Sequence, residues 1–214
     1  INEIKYLKEK LDVTNYVFRD PVFSIDKKHT ILICKKLIDE KLNINICVET
    51  HLKNIDEELA NYLKLAGVKL IYVGIESSDD NVKKTNNRWS EENFKQIKKV
   101  NFLEKAGIKV KAMYIVGLPG DTNDTFEKTL EYAKKINSFY AQFSVFTPYP
   151  GTPVYNEYKD KMHFQKFEEF TQWDLVFEHP NFTKKDIRKI LDKSYQSYYL
   201  RIKWLLKFAL DKFR

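Results

Sequence analysis

The sequence predicts an α/β fold built on a parallel sheet, and three observations support this prediction. Strand-like and helix-like periodicities alternate along the chain, with predicted strands starting near residues 17, 44, 70, 110 and 141. These strand segments are nearly continuous apolar runs, as expected of parallel strands covered on both faces. Two helix-to-strand joints are almost identical, Leu65-Ala-Gly-Val-Lys-Leu70 and Lys105-Ala-Gly-Ile-Lys-Val110, and each is a glycine helix end leading into a strand. Such consecutive βα units predict right-handed crossovers, but their spacing does not distinguish a barrel from an open sheet.

The first three units follow one another without long loops. Apolar residues at helical spacing mark the helices: Ile4, Leu7 and Leu11, then Ile31, Cys34 and Ile38, then Ile55, Leu59 and Leu63. The predicted strands after them are Tyr16–Asp20, Ile44–Val48 and Leu70–Gly74. Pro21 ends the first strand, and Asp56 is the predicted N-cap of the third helix.

Two further units complete the predicted sheet. The helices are marked by Phe94, Ile97, Val100 and Leu103, and by Phe126, Leu130 and Ala133, and the strands run over Val110–Val116 and Tyr140–Phe146. Ser90 is the predicted N-cap of the first of these helices. Residues 1–153 are therefore predicted to form the sheet domain, and residues 154–214 a helical extension.

The extension combines aromatic residues with a basic helix. Its first part carries Phe164, Phe167, Phe170, Trp173 and Phe177. Residues 184–214 hold ten Lys and Arg but three Asp, so they account for the whole net charge of +7, and the body is neutral. The charge therefore does not indicate a nucleic-acid-binding body, and no nucleic-acid partner is expected.

A single amphipathic helix is predicted from Lys184 onward. Its apolar stripe consists of Ile187, Leu191, Tyr198, Ile202, Leu205 and Ala209. We favour a helix docked on the sheet domain. The alternative is a helix lying on an anionic membrane, with Trp204 and Phe208 at the interface.

Cysteine usage and hydropathy indicate a cytoplasmic setting. The two cysteines, Cys34 and Cys47, are too few for a disulfide framework and match neither zinc nor iron–sulfur spacing, so both are predicted to be core thiols. No apolar run is long enough to cross a bilayer, and no signal-peptide pattern opens the chain. We expect a cytoplasmic protein with, at most, a peripheral membrane contact.

Polar groups follow the predicted strands where each strand ends. The candidate site residues are Asp20, Glu49, His51, Glu76, Ser77, Gly117, Pro119, Pro148 and Gly151. Because ligands bind at the carboxyl ends of parallel strands, we expect these residues to line one site. Each also has a structural interpretation: a turn at Asp20 and at Gly117, a helix cap at Glu76, and a hydrogen-bonded structural histidine at His51.

The strand-end segments, in this order and spacing, resemble the radical SAM enzymes. They are Phe18–Phe23, Val48–His51, Ile55–Leu59 with Ala66-Gly67, Val73–Ser77, Tyr114–Thr122 and Pro148–Pro153. The resemblance covers about residues 3–155 and is greatest for the branch with an N-terminal cobalamin-binding domain. It implies a partial TIM-like (β/α) barrel whose first strand lies before Ile1. In that family, Cys-x3-Cys-x2-Cys after the first strand holds a 4Fe-4S cluster, and S-adenosylmethionine (SAM) is cleaved to a 5′-deoxyadenosyl radical.

The resemblance also implies roles for individual residues in SAM binding. Glu76, with Ser77 beside it, corresponds to a carboxylate that accepts from the SAM ribose hydroxyls or ammonium. His51, near Glu49, stands where many relatives have an arginine near the SAM carboxylate; imidazole cannot form the same bidentate contact. Asp20 corresponds to a rim acid. Gly117 and Pro119 correspond to a turn near the adenine, and Pro148 and Gly151 to the loop after the last strand.

The expected function follows from the resemblance. The full-length protein is expected to perform methyl transfer or a rearrangement on a small-molecule or lipid-like substrate, with electrons from a flavodoxin or ferredoxin. Cobalamin is expected only in a domain outside this chain. The alternatives are a methylthiotransferase-like enzyme without cobalamin, and a non-catalytic barrel remnant that serves as a membrane-associated or scaffold module. Because the cluster cysteines are expected outside this chain, the chain alone is predicted to be inactive.

Overall fold

The computed structural model describes residues 1–88, 91–163 and 166–212. Within them, one sheet contains the strands in sequence order: β1 (Asn15–Val17), β2 (Asn45–Glu49), β3 (Val68–Glu76), β4 (Lys109–Val116) and β5 (Tyr140–Val145). β1 pairs with β2, and β2 with β3, in parallel. The predicted α/β fold with a parallel sheet is confirmed.

Helices alternate with the strands and continue after the last one. Helix α1 (Asn2–Leu11) precedes β1. The others are α2 (Lys27–Glu40), α3 (Glu57–Leu65), α4 (Asp80–Thr85), α5 (Asn93–Lys105), α6 (Asn123–Ile136), α7 (Pro153–Tyr158), α8 (Lys184–Tyr199) and α9 (Ile202–Lys212). Short 3-10 helices cover Leu52–Asn54, Lys159–Lys161 and Phe167–Glu169. None of the helices in the described residues is long and apolar enough to span a membrane. The predicted cap Ser90 and the aromatic residue Phe164 lie outside the described residues.

The chain packs as two compact units that alternate along the sequence. The first unit comprises Ile1–Gly74, Ser90–Ala112 and Ser138–Tyr140. The second unit comprises Ile75–Trp89, Met113–Asn137 and Ala141–Arg214. The predicted boundary between residues 153 and 154 remains a prediction.

Local sequence explains where several helices begin. The Asp56 side chain accepts a hydrogen bond from the Leu59 backbone N–H, which confirms the predicted cap of α3. Thr122 and Thr183 each form a reciprocal capping box, at the start of α6 and α8. These caps satisfy backbone N–H groups that have no partner inside the helix.

Burial alternates along the strands, which corrects the expectation of two covered faces. In β4, for example, Val110, Ala112 and Tyr114 are fully buried, whereas Lys111 and Met113 between them are only partly buried. The half-exposed face mixes charged side chains with apolar ones such as Met113, so the apolar runs hide an alternation in burial. Cys34 is buried, as predicted. Cys47 lies on the half-exposed face of β2 and is not a fully buried core thiol.

The basic tail forms two helices where one was predicted. The apolar stripe is divided: Ile187 and Tyr198 of α8 are buried, whereas Ile202 of α9 is exposed. Between the helices, the Arg201 guanidinium donates to the carbonyl oxygens of Tyr198 and Lys134. Because the Tyr198 carbonyl near the end of α8 receives a side-chain donor, the chain can leave the α8 axis without leaving that carbonyl unpaired.

Candidate functional site

The end of β3 places Glu76 in an unusual backbone conformation. Its φ of 69° lies in the left-handed region, which a glutamate seldom adopts. Such a residue costs about 1–3 kcal/mol and persists only where the surrounding structure holds it, most often at functional sites. Oε2 of Glu76 lies 3.4 Å from Nη1 of Arg88, which follows α4. The strand therefore ends in a residue with a strained backbone, whose carboxylate is paired with a guanidinium.

Glu76 and Arg88 line a pocket of about 260 Å³ in the second unit. The pocket combines apolar and hydrogen-bonding groups. Its other lining residues are Met113, Tyr114, Ile115, Gln142, Ser144, Val145, Phe146, Thr147, Tyr149 and Gln172. A pocket with an ion pair at its wall and both apolar and amide groups around it suits an amphiphilic ligand with charged substituents.

Ser77 was predicted to lie beside Glu76 in the site, but its side chain is buried and forms hydrogen bonds within the protein. It is fully buried, and its hydroxyl lies 3.2 Å from the Thr129 hydroxyl of α6. The same hydroxyl accepts the Asp79 backbone N–H at 3.1 Å. The structure thus places Ser77 behind Glu76, where it fixes the turn into α4.

The Gly117–Gly120 turn after β4 is organised by a buried carboxylate that the sequence analysis did not select. Oδ2 of Asp121 accepts the backbone N–H groups of Gly117 and Leu118, both at 3.1 Å. Oδ1 accepts the Thr125 hydroxyl at 2.9 Å. The positive φ angles of Gly117 and Gly120, 74° and 90°, explain the glycines in this turn. The backbone N–H groups of Gly117 and Leu118 are therefore paired with Asp121 inside the turn.

Burial dominates the electrostatics of Asp121. The side chain is 2% exposed, and burial raises its pKa to about 6, although the donors from Thr125, Leu118 and Gly117 favour the ionised form. Asp121, which organises this turn, therefore takes up a proton under mildly acidic conditions, near pH 6.

Side chains from two other segments hold the outer side of the same turn. Nδ2 of Asn86 donates to the Pro119 carbonyl at 2.8 Å, and Nδ2 of Asn181 donates to the Asp121 carbonyl at 2.7 Å. Nε2 of His179 lies 3.3 Å from the Leu118 carbonyl oxygen, and burial lowers the pKa of His179. The extension beyond α7 thus contributes directly to the turn that contains the predicted site residues Gly117 and Pro119.

The loop after β5 contributes Tyr149 rather than the two predicted residues. Pro148 is buried and Gly151 is exposed at a φ of 88°. The Tyr149 carbonyl accepts both the backbone N–H and the hydroxyl of Thr152, at 3.2 and 2.7 Å. This tight turn places Tyr149 in the wall of the pocket.

The remaining predicted residues belong to the first unit. Asp20 and His51 are exposed, and Glu49 is half-buried at the end of β2. No hydrogen bond or ion pair joins the three within the described residues. Desolvation lowers the pKa of His51, and Lys53 adds to that shift. Between Glu49 and His51, Thr50 is buried and its hydroxyl lies 2.5 Å from the Ser24 hydroxyl, which fixes the strand end.

The arrangement of possible metal ligands also bears on the site. In the described ranges, no three His, Cys, Asp or Glu side chains are grouped closely enough to hold a metal ion. Cys34 and Cys47 are both free thiols, and burial raises the pKa of each. These residues therefore do not fit as the ligand set of an iron–sulfur cluster.

Comparisons with known proteins agree on one superfamily. The family model described as the radical SAM superfamily matches residues 1–133. An uncharacterized methyltransferase of Pyrococcus horikoshii is 30% identical over 210 residues, which are 97% of this chain and 45% of that protein. The anaerobic magnesium-protoporphyrin IX monomethyl ester cyclase of Rubrivivax gelatinosus is 25% identical, over 100% of this chain and 39% of that protein. The chain thus spans less than half the length of these curated relatives.

A solved structure shows the fold. The radical S-adenosylmethionine methyltransferase TsrM of Kitasatospora setae, solved with cobalamin and a 4Fe-4S cluster bound, matches with a TM-score of 0.67 at 17% identity. The match covers 74% of this chain and 30% of that chain. It confirms the predicted fold class, a partial TIM-like (β/α) barrel.

Proposed function

We propose, from the premise that this chain belongs to the radical SAM superfamily, that it forms the SAM-binding core of a biosynthetic enzyme. The proposal assigns the pocket of Glu76 and Arg88 to SAM. SAM carries an ammonium group, a carboxylate, ribose hydroxyls and an apolar methylene chain. The lining of the pocket offers a counterpart for each of these groups.

Glu76 carries this proposal, because it combines a left-handed backbone with a place at the pocket wall beside Arg88. Its carboxylate can accept from the ribose hydroxyls or from the ammonium group of SAM. The Arg88 guanidinium, 3.4 Å from Glu76, can pair with the SAM carboxylate in a fork that lysine or histidine cannot form. Tyr149 and Met113 offer apolar surface beside these polar groups.

The proposal includes cofactors whose ligands are not found among the described residues. We propose that the full-length protein holds a 4Fe-4S cluster through cysteines outside this chain and, like TsrM, also binds cobalamin. When bound, the cluster supplies the electron that cleaves a carbon–sulfur bond of SAM. The part of this chain is to bind and orient SAM and to keep water from it.

Methyl transfer is the reaction class that we propose. Two of the similar proteins are named as methyltransferases and support this class, whereas the third is named as a cyclase. A small organic or lipid-like substrate and an electron-donating flavodoxin or ferredoxin complete the proposal. Asp20, Glu49 and His51 stay proposed ligand contacts of the first unit, taken by itself.

The test compares Glu76→Gln and Glu76→Ala in the anaerobically purified full-length protein. Because a hydrogen bond to a charged group is worth about 1.5–3 kcal/mol, both variants should bind SAM about tenfold or more weakly. Their iron content should be unchanged. Equilibrium dialysis measures SAM binding, and chromatography of 5′-deoxyadenosine after reduction measures cleavage.

An exposed glutamate at the start of α3 provides the control. Glu57→Gln should leave both SAM affinity and 5′-deoxyadenosine yield unchanged. Unchanged SAM affinity in the Glu76 variants would remove Glu76 from the site. A wild-type protein with an intact cluster that yields no 5′-deoxyadenosine would refute the proposed function.

A further inference from the structure

Helix α9 exposes a row of aliphatic side chains. Ile202, Leu205, Leu206 and Leu210 have exposed fractions of 77%, 46%, 59% and 65%. Their spacing of three, one and four residues places them on one face of the helix. A continuous apolar stripe of this kind on an otherwise folded chain indicates an interaction surface.

The opposite face of α9 is fixed to the protein. The Trp204 ring packs edge-on against Tyr199 with 4.7 Å between ring centres, and Phe208 stacks on Trp204 at 5.1 Å. Nζ of Lys207 donates to the Asn137 carbonyl at 2.5 Å. The aliphatic face is therefore held outward by specific contacts. Trp204 and Phe208, which the membrane alternative placed at the interface, lie instead on the docked face.

The segment that contains α9 carries an excess of cations. Residues 184–214 carry ten Lys and Arg against three Asp, which equals the net charge of +7 of the whole chain. Among the side chains of α9 that the structure describes, Lys203 is the one that is both charged and exposed. It lies next to the stripe. The segment that exposes the apolar face is thus also the segment that attracts anions.

We propose that α9 lies on the surface of an anionic lipid bilayer, with Ile202, Leu205, Leu206 and Leu210 inserted at the level of the headgroups. An aliphatic stripe bordered by lysine fits this environment, because the apolar chains enter the acyl boundary while the ammonium group stays among the phosphates. Binding of a protein partner to this face would not depend on lipid charge. The proposal is independent of the SAM site.

Vesicle sedimentation with the full-length protein tests the proposal. The probes are vesicles of phosphatidylcholine alone and vesicles of phosphatidylcholine with phosphatidylglycerol. We expect at least about tenfold stronger partitioning to the anionic vesicles at low salt, falling as salt is added. Equal partitioning to both vesicles, or none to either, would overturn the proposal.

Matched variants assign the contact to α9. The double variant Leu206→Gln with Leu210→Gln removes exposed aliphatic groups and should weaken partitioning about tenfold or more. The control is Ile25→Gln, because Ile25 is 82% exposed in the first unit, and its partitioning should match the wild type. Lys203→Glu should weaken binding to anionic vesicles alone.

The remaining outcomes are also decisive. Circular dichroism should show wild-type helicity in all variants, since their side chains are exposed. Partitioning of the double variant that equals the wild type would overturn the assignment to α9. Self-association on gel filtration that the double variant abolishes would assign the face to a second copy of the chain and overturn the proposal.

Discussion

At the scale of single residues, three acidic or hydroxyl side chains near strand ends have different tasks. Glu76 faces the pocket with strained backbone and a guanidinium beside it, whereas Ser77 is buried against Thr129. Asp121 is buried and organises a turn through two backbone N–H groups. Sequence position after a strand predicted all three neighbourhoods, but it could not separate the side chain that faces a ligand from those that hold the backbone. That distinction depends on which way each side chain turns after the strand ends.

Asp121 makes a prediction about pH. Its pKa in the folded chain, about 6, lies above 3.8, the ordinary value for an aspartate, so the folded state binds the proton more tightly than the unfolded state. The stabilisation that this group contributes is therefore present below about pH 4 and is lost as pH rises through about pH 6. We expect the stability of the wild type relative to Asp121→Asn to fall by about 2–3 kcal/mol over that interval.

Urea unfolding of both proteins at several pH values measures this difference. Asn keeps one acceptor for the turn but cannot titrate, so it isolates the proton-dependent part. A stability difference that is constant across the interval would show that Asp121 does not titrate there.

At the scale of elements, the repeated helix-to-strand joints were predictable, and their unequal packing was not. Gly67 and Gly107 occupy the same place in the two joints and have φ angles of 96° and 91°. A Cβ on Gly67 would lie 2.4 Å from the carbonyl oxygen of Ile44, whereas a Cβ on Gly107 would meet nothing within 4 Å. The sequence repeats because both joints need a left-handed residue, but Gly67 additionally lies against a neighbouring backbone that no local pattern reveals.

These two glycines form a matched pair for mutagenesis. Gly107→Ala should cost about 1 kcal/mol of unfolding free energy, from the left-handed backbone alone. Gly67→Ala should cost at least about 3 kcal/mol, because the backbone must also move away from the new methyl group. Denaturant titration of both variants gives the comparison, and equal losses would contradict the close approach at Ile44.

The strands and the last helices show why periodicity needs tertiary context. Apolar side chains such as Met113 and Ile115 lie on the half-exposed face of β4, so composition alone suggested a strand buried on both sides. The tail was predicted as one helix because the stripe from Ile187 continues at helical spacing to Ala209. The break comes from contacts of Arg201 with Lys134 and Asn137, residues far away in sequence.

At the scale of the whole molecule, the alternating periodicity was enough to predict the fold class. The order of the strand-end segments was enough to predict the family. The predicted site residues lie at the ends of their strands or after them, from Asp20 after β1 to Gly151 after β5. Residues that complete the site, Arg88 and Tyr149, lie in segments without a strong pattern. Arg88 reaches the pocket after a short helix, and Tyr149 reaches it through a tight turn. Their proximity to Glu76 is a tertiary feature that no local sequence pattern reveals.

The most direct test of this account is a crystal structure of the full-length protein with SAM bound. We expect the Glu76 carboxylate within about 3.2 Å of a ribose hydroxyl or the ammonium group of SAM, a normal hydrogen-bond distance. The Arg88 guanidinium should lie beside the SAM carboxylate. SAM bound elsewhere, with the Glu76–Arg88 pair intact and its pocket free of ligand, would contradict the account.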